Sequence, residues 1–124
     1  MFRSNLILIE DSRLMQMCWR IECQEQIELQ IFATPREFFE SLSQTTVNPN
    51  SIFVVDVDFG GLDPMNGVEL AESLRRLGLE NKIHLYSGFS DVVSNGLLID
   101  GTINGVHSKD LSPKELIRRI QAAS

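Results

Sequence analysis

Side chains that could bind a metal or carry out group transfer follow short strand-like runs at four places in the chain. They are Glu10 and Asp11, Asp56 and Asp58, Ser87, and Lys109. Carboxylates held close together repel one another, and a hard cation that prefers oxygen ligands, such as Mg²⁺, relieves that repulsion. A carboxylate can also act as a nucleophile that accepts a phosphoryl group. We therefore predict Mg²⁺-dependent phosphorylation of Asp56, with Lys109 and Ser87 binding the phosphoryl oxygens.

These side chains can meet only if the runs that precede them are strands of one sheet. Five runs have strand patterns, at 6–9, 27–31, 52–55, 83–86 and 102–107. Helical patterns separate them, at 12–24, after the N-cap residues Thr34, Asn66 and Ser112, and, more weakly, at 90–99. This alternation predicts a doubly wound α/β fold of the flavodoxin-like (βα)5 type, with a five-stranded parallel sheet.

The apolar character of the runs predicts their order in the sheet. The runs at 6–9 and 52–55 are continuous, which suits strands covered on both faces. The more polar runs at 27–31 and 102–107 suit the edges, so the predicted strand order is 2-1-3-4-5. In such sheets ligands bind beyond the carboxyl ends of the strands, where strands one and three lie side by side. The acidic residues that follow these two strands are therefore expected at one site.

Four segments, in this order, resemble the CheY-like receiver domains of bacterial response regulators. The segments are Ile-Leu-Ile-Glu10-Asp11-Ser12, Phe-Val-Val-Asp56, Tyr-Ser87-Gly88 and Val-His-Ser-Lys109. The resemblance covers nearly the whole chain and implies one receiver domain over residues 1–124. It also implies that Asp56 accepts a phosphoryl group from a histidine kinase or a histidine phosphotransfer protein.

The resemblance implies roles for the other site residues as well. Asp56 would hold Mg²⁺ together with three further groups: the side chains of Glu10 and Asp11 and the backbone carbonyl of Asp58. Ser87 and Lys109 would bind oxygens of the phosphoryl group. The domain would then be a signalling switch with weak phosphotransfer and autodephosphorylation activity, not a metabolic enzyme. It would act on a downstream protein target or a covalently linked output domain, and a homodimer is a further option.

Four positions depart from the pattern of that family. Gly60 replaces a proline, Pro64 lies within a longer loop, Val106 replaces an aromatic residue, and Asp110 replaces the proline after the lysine. The first two alter the expected loop geometry, and the last removes the usual reason for a cis peptide after the lysine. Valine has a single side-chain torsion, so the usual aromatic switch is not expected. Switching is instead predicted through the segments at 87–90 and 90–99.

Three alternative functions are compatible with part of this motif set. Glu10 with Asp56-Val-Asp58 also resembles the Mg²⁺ site of TOPRIM nucleic-acid enzymes. That interpretation leaves Ser87 and Lys109 unexplained. The Asp56-Val-Asp58 segment resembles haloacid-dehalogenase-like phosphatases, in which it normally ends the first strand of a longer chain. The third alternative is a degenerate receiver domain that binds a partner without being phosphorylated.

Composition argues against several broad classes. With 11 Lys and Arg against 17 Asp and Glu, the net charge of −6 disfavours charge-driven binding of nucleic acid or anionic lipid. No apolar run approaches the ~20 residues of a membrane-spanning helix, and the run near the N-terminus is too short for a secretory signal. The chain is therefore expected to be cytoplasmic, with no membrane partner and no direct contact with nucleic acid.

The cysteines, the histidines and the tryptophan are interpreted as structural residues rather than as parts of a functional site. Cys18 and Cys23 lie five residues apart in one helical pattern, do not share a helix face, and are expected to be reduced. His84 and His107 are far apart in sequence and are interpreted as separate strand residues rather than metal ligands. Trp19 is interpreted as a residue that packs its helix against the core.

Overall fold

The computed structural model describes residues 4–23, 27–44, 47–57, 59, 64–87 and 100–122. Within these residues the chain forms five strands and four helices. In chain order they are β1 (Ser4–Ile9), α1 (Arg13–Cys23), β2 (Ile27–Phe32), α2 (Pro35–Ser41), β3 (Ile52–Asp56), α3 (Gly67–Arg76), β4 (Ile83–Ser87), β5 (Gly105–Ser108) and α4 (Pro113–Ala122). The helix predicted at 90–99 lies outside the described residues, as do Asp58, Gly60 and Gly88.

A single parallel sheet organises the fold. Its strand order is β2-β1-β3-β4-β5, and every neighbouring pair of strands is parallel. This confirms the predicted flavodoxin-like arrangement, with the most apolar strands in the middle and the more polar ones at the edges. Because β1 and β3 pair directly, the residues that follow them emerge side by side at the carboxyl edge of the sheet.

The last strand is shorter than the sequence pattern predicts, since β5 begins at Gly105 rather than at residue 102. Upstream of it, the Asp100 carboxylate accepts hydrogen bonds from the backbone N–H and the hydroxyl of Thr102, at 2.9 and 2.6 Å. Gly101 between them has a φ of +83°. This local turn competes with strand pairing and delays the start of β5.

The helices start where local capping signals place them. The Thr34 hydroxyl accepts a hydrogen bond from the backbone N–H of Glu37, at 3.2 Å. At the start of α3, the Asn66 side chain accepts from the N–H of Glu69 at 2.8 Å, and the Glu69 carboxylate accepts from the N–H of Asn66 at 3.1 Å. These caps confirm the predicted starts and fix where the first turn of α3 meets the sheet.

Two apolar cores lie on opposite faces of the sheet. The core beneath α2 and α3 includes Phe38, Phe53 and Leu74. The core beneath α1 and α4 includes Trp19, Tyr86 and Leu116. Trp19 is fully buried, which confirms its interpretation as a packing residue.

Helix α1 carries an apolar stripe that does not face the sheet. Leu14, Met17 and Ile21 recur at helical spacing, yet they are 70%, 59% and 62% exposed. The helix packs instead through Trp19 and Cys23, both buried. The large indole ring occupies the space between α1 and the sheet, so the stripe at a different angle around the helix is left at the surface.

Two further observations concern the cysteines and the lengths of the helices. Cys18 and Cys23 are both free, as expected. Across the described ranges, no helix has the length and apolar content that crossing a membrane requires.

His84 and His107 lie in β4 and β5, which confirms that they are strand residues, but they form a pair that the sequence did not indicate. Nδ1 of His84 lies 3.0 Å from Nε2 of His107. A Cβ atom added at Gly105 would come within 2.7 Å of the first nitrogen and 2.9 Å of the second, so glycine leaves room for both rings. The two histidines meet only through the pairing of β4 with β5, which local sequence patterns do not reveal.

The histidine pair should make stability depend on pH below neutrality. Burial lowers the pKa of His84 from 6.5 to about 4, and His107 and Lys82 act in the same direction. Burial also lowers the pKa of His107, with a contribution from Arg119. Between 6.5 and about 4 the unfolded chain binds a proton at His84 that the folded chain does not. The free energy of unfolding should therefore fall as the pH drops through this window, by up to about 3 kcal/mol.

Chemical denaturation of the wild type and of His84→Gln across this pH range checks the expectation. The variant should be less stable at neutral pH, because an amide replaces the buried imidazole. Its stability should nevertheless vary less with pH, since glutamine does not titrate. If stability varies with pH to the same extent in the two proteins, the acid sensitivity comes from groups other than His84.

Candidate functional site

Three carboxylates converge at the carboxyl edge of the sheet, as the strand order predicts. Glu10 follows β1, Asp11 is next in the chain, and Asp56 is the last residue of β3. One oxygen from each carboxylate lies within 4.8 Å of the other two. Glu10 and Asp56 are buried, whereas Asp11 is half-buried. The structure thus brings together three of the predicted metal ligands, and the fourth, Asp58, lies outside the described residues.

Lys109 brings a positive charge to these carboxylates from the far edge of the sheet. Its Nζ donates a hydrogen bond of 2.8 Å to Oδ2 of Asp56 and lies 3.9 Å from Oε1 of Glu10. Its backbone N–H donates to the carbonyl of Ser87 at 2.9 Å, which holds the chain after β5 beside the end of β4. Lys109 therefore reaches Asp56 across 53 residues of sequence.

Ser87 ends β4 and is buried at the same rim. Tyr86 is the register partner of Asp56, so Ser87 lies one residue beyond the level of that carboxylate. On its other side Ser87 pairs with Ser108, the residue before Lys109. The predicted hydroxyl, carboxylate and ammonium therefore occupy one end of three neighbouring strands, while their chemical roles stay predictions.

The ionised form of Glu10 is poorly stabilised in this acidic cluster. Glu10 is fully buried, and neither of its carboxylate oxygens has a hydrogen-bond partner among the described residues. Burial raises the pKa of Glu10 well above its usual value, and the Asp56 carboxyl adds to the shift while Lys109 opposes it. Burial would lower the pKa of Lys109, but the hydrogen bond to Asp56 and the surrounding carboxylates raise it overall.

The donor set fits Mg²⁺. All three groups offer carboxylate oxygens, which a hard divalent cation prefers over nitrogen or sulfur ligands. The two Glu10 oxygens are buried acceptors that no donor of the described chain satisfies. A cation held by Glu10, Asp11 and Asp56 would both satisfy these acceptors and relieve the repulsion between the carboxylates.

Two residues that the sequence did not assign to the site lie directly against it. Gly67, the first residue of α3, is so close to the end of β3 that an added Cβ would collide with the backbone carbonyl of Asp56. Tyr86 is buried below the rim, and its ring centroid lies 5.2 Å from Nζ of Lys109. The sequence Asn66-Gly67 predicted the start of a helix. Nothing in the sequence predicted that Gly67 or Tyr86 would contact the acidic cluster.

The positions that depart from the receiver pattern can be placed in part. Val106 is half-buried and packs against the core beneath α2 and α3. The backbone N–H of Asp110 donates to the Ser108 hydroxyl at 3.1 Å, and the described residues include no cis peptide bond. Pro64 is exposed. The proposed switching route through 87–90 and 90–99 falls mostly outside the described residues and stays a prediction.

Comparisons with known proteins identify the fold. No protein-family model matches the chain, and no curated protein matches it. A CheY-like response regulator receiver domain from Methanospirillum hungatei superposes with a TM-score of 0.77 at 19% identity, covering 98% of this chain and 93% of that one. The fold is that of a CheY-like receiver domain. A chemotaxis CheY protein from Vibrio cholerae agrees, with a TM-score of 0.78 at 16% identity over 99% of this chain and 100% of that one.

A further structure shows the receiver fold as part of a different type of protein. The signal receiver domain of an HD domain-containing protein from Pseudomonas fluorescens gives a TM-score of 0.79 at 15% identity, covering 98% of this chain and 94% of that one. At such identities the likeness establishes the receiver fold alone.

Proposed function

We propose that residues 1–124 form a receiver domain that accepts a phosphoryl group on Asp56 and thereby changes its contacts with other proteins. The arrangement at the carboxyl edge carries this proposal: Asp56 lies close to the carboxylates of Glu10 and Asp11 and accepts a hydrogen bond from the ammonium of Lys109. Such a domain is a signalling switch with weak phosphotransfer and autodephosphorylation activity, not a metabolic enzyme.

Asp56 is well positioned to be the acceptor. It ends a buried central strand, so the backbone holds its carboxylate at the rim. In the transfer, an oxygen of Asp56 forms a bond to phosphorus while the bond from phosphorus to the donor's leaving group breaks, and the leaving group keeps the electron pair. Lys109 already donates to Oδ2 of Asp56, so a small movement would pair it with a phosphoryl oxygen. Ser87 is the proposed donor to another phosphoryl oxygen.

The acidic residues are proposed to hold Mg²⁺, with Asp58 contributing its backbone carbonyl. When bound, Mg²⁺ supplies positive charge that offsets the negative charge of the phosphoryl oxygens. Glu10 and Asp11 would hold the cation next to Asp56, because all three residues lie at the adjacent carboxyl ends of β1 and β3. The ammonium group of Lys109 adds a second positive charge from the side of β5.

The exposed apolar stripe of α1, formed by Leu14, Met17 and Ile21, supports the proposal that the phosphoryl donor is a protein. Leu14, at one end of the stripe, is only three residues from Asp11, so the stripe adjoins the acidic rim. An exposed apolar surface beside a reactive group is typical of a surface that binds another protein. We propose that a histidine kinase or a histidine phosphotransfer protein docks there and delivers the phosphoryl group to Asp56.

The output is proposed to be a protein contact, either with a separate target or with a linked domain. Structures with the same fold include an adenylate cyclase from Rhodopirellula baltica and the HD domain-containing protein from Pseudomonas fluorescens. A homodimer is a further form in which the switched state could act. The acidic net charge of −6 disfavours direct contact with nucleic acid, and a cytoplasmic location is proposed because phosphodonor proteins of this kind act there.

The mass of the intact protein after incubation with acetyl phosphate tests the proposed function. We expect a gain of one phosphoryl group in the presence of Mg²⁺ and a much smaller gain when Mg²⁺ is chelated. A protein that gains no phosphoryl group under either condition would support the degenerate, binding-only alternative. A full gain without any divalent cation would reject the proposed role of the metal.

Mg²⁺ should also stabilise the protein, because it relieves repulsion between the acidic side chains. Binding to the folded state alone stabilises by RT ln(1 + [L]/Kd), which is about 1.4 kcal/mol at tenfold excess over Kd. Asp11→Asn removes one repelling charge, so it should be at least as stable as the wild type without metal and should gain less from Mg²⁺. Thermal unfolding with and without Mg²⁺ measures both effects.

A variant that loses the same charge elsewhere separates the loss of a metal ligand from the general effect of removing a negative charge. Glu72 is exposed on α3, away from the acidic cluster, so Glu72→Gln removes the same charge elsewhere. It should gain as much stability from Mg²⁺ as the wild type does. If Asp11→Asn also gains the full amount, Asp11 is not part of the metal site.

A further inference from the structure

The chain contains one tryptophan and one tyrosine, and the fold places them together beneath the acidic rim. The ring centroids of Trp19 on α1 and Tyr86 on β4 are 6.5 Å apart, and both residues are buried in the core beneath α1 and α4. Leu8 belongs to the same core. Because side chains two apart on a strand share a face, Glu10 projects toward this core as well.

The polar side-chain atoms of these three residues are buried and form no hydrogen bonds within the described part of the chain. Nε1 of Trp19, the hydroxyl of Tyr86 and both carboxylate oxygens of Glu10 have no hydrogen-bond partner among the described residues. The indole N–H can only donate, a phenol can donate, and an ionised carboxylate only accepts. Buried polar groups in native proteins are usually paired, and exceptions call for an explanation. Here the donors and acceptors are complementary, and Tyr86 is a neighbour of both Trp19 and Glu10.

Tyr86 is a neighbour of two charged groups of the site, the Glu10 carboxylate and the Lys109 ammonium. After burial itself, the Glu10 charge is the largest cause of the raised pKa of the Tyr86 hydroxyl, followed by Asp56. The strand register agrees with this proximity, because Tyr86 pairs with Asp56 and Asp56 follows Val55, the partner of Ile9. The hydroxyl and the Glu10 carboxylate form no hydrogen bond with each other in the structure. Nζ of Lys109 lies 5.2 Å from the ring centroid, within the range of a cation–π contact.

We propose that Tyr86 is a positioning residue of the candidate Mg²⁺ site: when Mg²⁺ is bound, its hydroxyl donates a hydrogen bond to the Glu10 carboxylate and orients that carboxylate toward the cation. The proposal rests on the proposed function, because it concerns the same site. Groups that hydrogen-bond to a metal ligand fix the orientation of that ligand, and their loss typically weakens metal binding tenfold or more. Since the ring also supports Lys109, Tyr86 connects the metal-binding side of the site with the phosphoryl-binding side.

Isothermal titration calorimetry with Mg²⁺ on the wild type and on Tyr86→Phe tests this role. Phenylalanine keeps the ring, its packing and its contact with Lys109, and removes only the hydroxyl. We expect the Kd for Mg²⁺ to rise about tenfold. The metal-free variant should unfold at the same temperature as the wild type or a higher one, because a buried unpaired polar atom has been removed.

Two further measurements separate positioning from packing. Phe53 is fully buried on the opposite face of the sheet, so Phe53→Leu should lower the unfolding temperature and leave the Kd for Mg²⁺ unchanged. The near-ultraviolet circular dichroism of the wild type comes mainly from Trp19 and Tyr86. Mg²⁺ should change that signal in the wild type and change it less in Tyr86→Phe.

A double-mutant cycle identifies the group on which the hydroxyl acts. If the hydroxyl acts through Glu10, then Tyr86→Phe should not weaken Mg²⁺ binding further in a Glu10→Gln background. A further loss of similar size in that background would overturn the proposal. Equal Kd values for the wild type and Tyr86→Phe would also overturn it, and would leave the proposed function intact. A wild type that binds no Mg²⁺ would instead reject the metal site itself.

Discussion

We expect Asp56→Asn to abolish the Mg²⁺-dependent gain of a phosphoryl group from acetyl phosphate. An amide oxygen lacks the negative charge that makes a carboxylate a nucleophile. Asp56 is the carboxylate that receives the 2.8 Å hydrogen bond from Lys109. Asp11, its acidic neighbour, is half-buried and is predicted to bind the metal rather than the phosphoryl group. The loss should therefore be complete in the mass of the intact protein.

A second variant near the site provides the control. Asp110 is exposed and follows Lys109 directly, so Asp110→Asn removes a nearby charge without touching the acceptor. It should gain a phosphoryl group as readily as the wild type does. If Asp56→Asn still gains the group in full while Asp11→Asn does not, the acceptor is Asp11 and the assignment of Asp56 is wrong.

Gly67→Ala should cause the largest loss of stability among the substitutions considered. The added methyl group would collide with the backbone carbonyl of Asp56, and it would also come within 2.9 Å of the Val57 Cα. Backbone atoms cannot rotate away as a side chain can, so either α3 or the end of β3 must shift. We expect a loss of about 3 kcal/mol or more in the free energy of unfolding, measured by chemical denaturation.

Gly78→Ala separates this collision from the general effect of replacing a glycine. Gly78 follows α3 with a φ of +85°, and an added Cβ there would meet nothing within 4 Å. The cost should be about 1 kcal/mol, caused by backbone strain alone. In Gly67→Ala the displaced carbonyl belongs to Asp56, so phosphorylation of the folded fraction should slow as well. Equal stabilities of the two variants would show that α3 does not pack closely on the end of β3.

The elements and their order follow from local sequence. Capping residues such as Thr34 and Asn66 act within a single helical turn, so their effect can be predicted without knowing the fold. The continuous apolar runs that became β1 and β3 required burial on both faces, which predicted central strands. Because parallel strands end at one edge, the convergence of Glu10 with Asp56 followed from the strand order. The start of β5 was predicted wrongly, since the turn between Asp100 and Thr102 competes with pairing.

Contacts between distant elements were decided by the tertiary structure. The sequence of α1 has two apolar faces, and only the fit of the Trp19 indole against the sheet determined which one is buried. The pair of His84 with His107 depends on the register of β4 and β5, and a parallel register is not encoded in either strand alone. Tyr86 likewise reaches the acidic cluster because pairing places it opposite Asp56. Periodicity and caps act between residues close in the chain, whereas register and helix rotation are set by packing between residues far apart in it.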